Sequence, residues 1–245
     1  MSTDPAPGWA ARAWGLQALC YLLAFGLPSV AAICLLVGVQ PAPSGLYGVV
    51  LLAGFALAPL GLYAAHRWLG LSADSLGLRG GHLFPLGALG ATGLSYLMMW
   101  LGFQVLHLFP QWAEQSESQP LWDLAASLHG GIVEELLLLA LPVAISARLG
   151  WPLWAQLLLV FALRVPFHLY YGPAALLLCL VWMTGVLFVY RKIWLVWPAV
   201  VAHLVFNLAH YPAIPPMLRL TASVALLLLG LGAAGLLLAR RTPVT

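Results

Sequence analysis

The chain has 245 residues, 63% of them hydrophobic and only 7% charged. A soluble domain carries about 25% charged residues, so a water-soluble globule is excluded and a single membrane-embedded helical bundle is expected over residues 1–245. A formal charge of +3 from scattered basic residues argues against a nucleic-acid partner.

Apolar runs long enough to cross a hydrocarbon core of about 30 Å fall at 16–39, 45–65, 84–109, 124–147, 151–169, 173–190, 194–211 and 217–238. The expected fold is therefore all-α and polytopic, with about eight transmembrane helices in one bundle, the sixth and seventh near the short limit. The first run has no short apolar core followed by a small-residue cleavage site, so it reads as a retained span. "GWAARAWGLQ" before it places Trp9 and Trp14 around Arg12, a pattern expected of an interfacial anchor or an aromatic belt. The breaks carry loop chemistry: "QPAPSG", "GLSADSLGLRGGH", "QWAEQSESQP", "YYGP" and "HYPAIPP". Cys20, Cys34 and Cys179 all lie in apolar runs and read as small buried hydrophobes, not a disulfide framework.

Eight spans put both termini on one side, and the basic residues say which. With a cytoplasmic N-terminus, Arg12, Arg67, Arg79, Arg148, Arg191, Lys192, Arg240 and Arg241 fall inside, leaving only Arg164 and Arg219 of the ten. The outer 111–123 loop holds Glu114, Glu117 and Asp123 and no basic residue. Seven or nine spans would scramble this pattern. The expectation is a multi-pass cell-membrane protein with both termini cytoplasmic.

Few strongly polar side chains lie deep in the spans. "IVEELLLLALP" (132–142) carries Glu134 and Glu135 on span four. Arg164 and His168 are on span five, and His203 and Asn207 are on span seven. A charge at the bilayer centre costs about 2.5–3.5 kcal/mol on insertion scales, so such groups need a reason. At 1.5 Å per residue, Glu134 lies about 20 Å from the inner boundary, His203 about 14 Å, Asn207 about 20 Å and His168 about 25 Å. Three helices thus bring polar groups to similar depth. His203 and Asn207 are four apart and share a helical face, as do Arg164 and His168. The adjacent glutamates point about 100° apart on an α-helix, so one is expected to face a site and the other a supporting partner. Pro142 can kink span four, and Pro198 can loosen span seven. His107, His129 and His210 fall near span ends, where an interfacial histidine needs no further role.

The plain structural alternative is polar glue between helices, which suits Asn207 alone better than two acids with two imidazoles. A carboxylate in low dielectric can act as general base toward a water, with histidine sharing the proton. A second histidine and an amide can donate to a developing oxyanion. One Glu and two His can instead hold zinc.

Taken in order, "EELLLLA" (134–140), "RVPFHLYYG" (164–172) and "HLVFN" (203–207) resemble the motifs of the CAAX-protease and bacteriocin-processing (CPBP, or Abi) family of intramembrane proteases. That family shows paired glutamates, a second motif ending in histidine, and a third of the form HxxxN or HxxxD. The resemblance covers residues 124–210. It implies an intramembrane endopeptidase acting on a membrane-anchored or exported protein. By position, Glu134 would activate water, His168 would assist, His203 and Asn207 would stabilise the oxyanion, and Glu135 would support the site. The family's EExxxR arginine is Leu139 here, and its frequent phenylalanine four residues before the second-motif histidine is Arg164. Arg164 is accordingly expected to replace the missing arginine as partner to Glu135. Metal-free catalysis is favoured over zinc, so no cofactor is expected.

Other classes fit less well. No HExxH occurs, and Ser95 in "GLSYL" lacks the glycine of a rhomboid nucleophile motif. "GALGATG" (87–93) follows no strand and reads as close helix packing, not a phosphate loop. A non-catalytic immunity or partner-binding membrane protein of the same family is an alternative. A proton-coupled transporter is another, though the polar residues are confined to the second half and show no inverted repeat.

Overall fold

The computed structural model describes residues 6–39, 44–109, 120–209 and 214–240. His210, Glu114, Glu117 and Arg241 lie outside them, and Asp123 is described in its backbone alone. The described residues are all-α. Helix α1 runs Trp9–Leu36, α2 Ser44–Leu69 and α3 Phe84–Leu106. Helix α4 begins as Pro120–His129, widens into a π-helical stretch over Gly130–Ala140, and finishes as Leu141–Arg148. Then come α5 (Leu153–His168, followed by a 3₁₀ turn at Leu169–Tyr171), α6 (Ala174–Ile193), α7 (Trp197–Ala209) and α8 (Pro216–Ala239).

Seven of these helices are long and apolar enough to span a bilayer. The protein is therefore a multi-pass membrane protein. The expected seventh span, 194–211, is where the structure departs. Trp194 adopts left-handed φ 54° and ends α6, and α7 then has only 13 residues. At 1.5 Å per residue that is about 20 Å, short of a full hydrocarbon core. Pro198 lies in the first turn of α7, where proline fits without a break, so it loosens nothing there.

The first helix also departs from expectation, starting at Trp9 and not at 16. Trp9 is buried, and its indole N–H donates to the Leu69 carbonyl (2.8 Å) while the Arg148 guanidinium lies 4.9 Å over its ring. Trp14 packs on Trp151 with ring centroids 5.4 Å apart. Trp9 is thus enclosed by neighbouring helices, while Trp14 is only half-buried against the exposed Trp151.

Further contacts align the helix ends. The Val196 amide donates to the Gly77 carbonyl (2.9 Å), the Trp197 indole to Leu78 (2.7 Å), and Lys192 Nζ to the Arg240 carbonyl (3.1 Å). The start of α1 and the ends of α2, α4, α6 and α8 thus meet at one end of the bundle. Arg12, Arg67, Arg79, Arg148, Arg191, Lys192 and Arg240 all belong to that end.

Helix α4 is the axis: 89% of its spanning window is buried, against 22% in α8. Its π stretch ends where the Leu141 amide donates to the Leu136 carbonyl, an i→i−5 bond, one residue before Pro142. Proline lacks the donor and clashes with the preceding turn, and a widened turn relieves that conflict. Helix α1 repeats the device, with a π turn at Leu22–Gly26 just ahead of Pro28. The glycine run on α3 packs as expected: Gly93 meets Gly230 of α8 backbone to backbone, so closely that a Cβ on either would overlap the other helix.

Candidate active site

The polar residues singled out above come together. Glu134 and Glu135 sit in the π stretch of α4, Arg164 and His168 on the last turns of α5, and His203 and Asn207 on α7. Glu134, Glu135, Arg164 and His203 are all buried, at 6%, 0%, 1% and 7% exposure.

Arg164 organises them. Its Nη1 donates to Glu134 Oε2 at 2.8 Å, and its Nη2 lies 2.8 Å from Glu135 Oε1. The guanidinium therefore partners both acids, not Glu135 alone. Glu135 Oε1 is also 2.7 Å from His203 Nδ1. Removing either partner from such a buried pair costs about 3–5 kcal/mol, which makes the cluster interdependent. A planar fork of donors is suited to hold two carboxylates at once.

The two glutamates divide as their adjacency suggests. Glu135 is enclosed by Arg164 and His203. Glu134 gives Oε2 to Arg164 and turns Oε1 toward α7. There the point where a Cβ of residue 130 would sit is 3.1 Å from Asn207 Nδ2 and 3.3 Å from both Glu134 Oε1 and His203 Nε2. An acid, an imidazole and an amide from two helices thus face one small volume, left open because residue 130 is glycine. Sequence reasoning missed Gly130. Its only signal was the "HGG" immediately before the glutamates.

Carbonyl and carboxylate oxygens accept, and this assigns the imidazole protons. His168 Nδ1 is 3.0 Å from the Arg164 carbonyl, so Nδ1 carries the hydrogen and Nε2 bears the lone pair of the neutral ring. His203 Nδ1 likewise donates to Glu135, leaving Nε2 toward the space over Gly130. Asn207 spends one N–H on the Ser127 carbonyl at 3.4 Å and keeps a second.

The site borders a cavity of about 530 Å³ whose wall includes Arg164, His168, His203 and Asn207. The rest is mostly apolar, with Met99, Phe103, Leu178, Trp182 and Phe206. Trp182 packs against His203, ring centroids 4.8 Å apart. Because the wall draws on the end of α3, the end of α5 and the end of α7, the cavity lies toward the end of the bundle opposite the basic residues. His107, assigned no role from sequence, is exposed at the end of α3 and lines this cavity.

His129 differs from expectation too. It is buried, not interfacial, with Phe25 and Phe55 edge-on at 5.5 and 5.9 Å. Gly54 of α2 opens the room for its ring. Cys20 and Cys179 are buried free thiols, and Cys34 is a partly exposed one.

The donor set does not fit a zinc ion. Among the described residues no three of His, Cys, Asp and Glu converge as ligands. Two of the carboxylate oxygens are committed to a guanidinium whose charge would repel a dication. In comparisons with protein-family models, with curated proteins and with solved structures, none matches this chain.

Proposed function

We propose that this protein is an intramembrane endopeptidase that hydrolyses a peptide bond of a membrane-anchored or exported protein with an activated water. The observation that carries the reading is the convergence of Glu134 Oε1, His203 Nε2 and Asn207 Nδ2 on one volume over Gly130. The motif order resembling CPBP proteases supports it further.

In this reading a water over Gly130 gives its proton to Glu134 Oε1 as its oxygen attacks the scissile carbonyl carbon. Arg164 fixes the other carboxylate oxygen, so Oε1 keeps its aim. His168, with a lone pair on Nε2, shares the proton as it passes to the leaving nitrogen. The carbonyl oxygen becomes an oxyanion that accepts from Asn207 Nδ2 and His203 Nε2. His203 reaches the same point with Nε2 while Glu135 holds its Nδ1. Collapse expels the amine with the proton and leaves a carboxylic acid, so one water is consumed for each bond cut. The apolar cavity suits an unwound stretch of a transmembrane segment better than a polar peptide.

The basic end of the bundle is assigned to the cytoplasm by the positive-inside rule, with both termini there and the cavity toward the outer face. The test is reconstitution in liposomes with a membrane-anchored reporter carrying an apolar, cleavable segment. Wild-type protein should release the reporter and Glu134→Gln should not, by a factor of at least about 10³. Equal release by both, or transport of protons with no cleavage by either, would overturn the proposal. Activity should also survive a chelator.

A further inference from the structure

The π stretch of α4 leaves one carbonyl in difficulty. In its i→i−5 register the Leu141 amide bonds the Leu136 carbonyl, so the Leu137 carbonyl falls to residue 142. Residue 142 is proline and has no N–H. Leu137 is wholly buried, and an unpaired carbonyl in a lipid-embedded interior is expensive. Its partner comes from another helix: Gln17 Nε2 of α1 donates to the Leu137 oxygen at 3.0 Å. Gln17 is only 3% exposed, and its Oε1 is buried with no hydrogen-bond partner among the described residues. An amide kept there despite an unsatisfied oxygen is kept for its donor.

We infer that Gln17 is a positioning residue, replacing the proline's missing backbone donor and thereby holding α4 in the wide register that presents Glu134 and Glu135. A slip to α-register would turn the acids about 100° relative to Leu141–Arg148, away from Arg164 and His203. The link to hydrolysis rests on the peptidase reading above, whereas the register claim does not.

The test is a double-mutant cycle in the full-length detergent-solubilised protein. Gln17→Leu should lower the melting temperature by about 3–8 °C, because it orphans the carbonyl. In a Pro142→Ala background, where residue 142 supplies its own N–H, the same change should cost under about 1 °C. Nitrogen-15 histidine NMR reads the site without any substrate: the hydrogen-bonded Nδ1 proton of His203 should shift in Gln17→Leu and return in Gln17→Leu/Pro142→Ala. Gln17→Met is the milder replacement if the leucine variant does not fold. An equal loss in both backgrounds, or an unmoved His203 proton, would overturn the inference and reduce Gln17 to packing. If the cycle behaves as expected but no variant, wild type included, hydrolyses a reporter, the peptidase reading falls and the register claim stands.

Discussion

Two of the close contacts between helices in this bundle are built on opposite principles. Where α3 crosses α8, Gly93 and Gly230 touch backbone to backbone, and the gain is dispersion over a close approach. Where α4 meets α5 and α7, two carboxylates, a guanidinium and an imidazole are drawn into a chain of contacts at 2.7–2.8 Å. The first contact is a cheap way to join helices in lipid. The second is costly, since an apolar replacement of a buried ion pair is often neutral or stabilising. The glycine contact needs no charge, whereas the charged cluster stands only while each member keeps its partner.

The largest effect should come from unbalancing the charged contact. Arg164→Met leaves two buried carboxylates facing each other and should cost about 3–5 kcal/mol, read as loss of folded protein in detergent. Adding Glu134→Gln and Glu135→Gln to that variant should restore folding without restoring hydrolysis, separating stability from chemistry. At the other contact, Gly93→Val or Gly230→Val forces the α3–α8 crossing apart and should cost about 1–3 kcal/mol in thermal unfolding. Activity per folded molecule should stay near wild type. Gly130→Ala should reverse that pattern. Its Cβ would crowd three polar atoms at 3.1–3.3 Å, so hydrolysis should fall at least about tenfold while stability moves by under about 1 kcal/mol. The smallest effect is expected on the lipid face of α8, where Leu229, 63% exposed, should tolerate alanine within about 0.5 kcal/mol.

Much of the site was legible because charge in an apolar span is conspicuous. Glu134, Glu135, Arg164, His168, His203 and Asn207 stand out against their surroundings, and i, i+4 spacing pairs the last four. Seven of the eight expected spans and the shared end of the basic residues were equally readable, since a span is a length of apolar sequence. Gly130 was not legible, because its role is a missing Cβ at a point that two other helices must reach. Nor was Gln17, whose partner lies 120 residues away. His129 reads as interfacial because it falls near the start of the apolar run 124–147, while Phe25 and Phe55 come from distant segments to enclose it. The shortness of α7 was hidden as well: the turn at Trp194–Val196 is as apolar as a helix.

By itself the sequence determined that this chain crosses a membrane many times, which end of it is basic, and which few polar groups lie at depth. Those are properties of composition and one-dimensional spacing, and hydrocarbon thickness converts them directly into helices. Tertiary structure alone decided that one guanidinium binds both acids, that α4 winds wide through them, and that three polar atoms face the bare Cα of a glycine. Each of those depends on which helices touch and in what hydrogen-bond register, and neither is written in the order of residues along a single span.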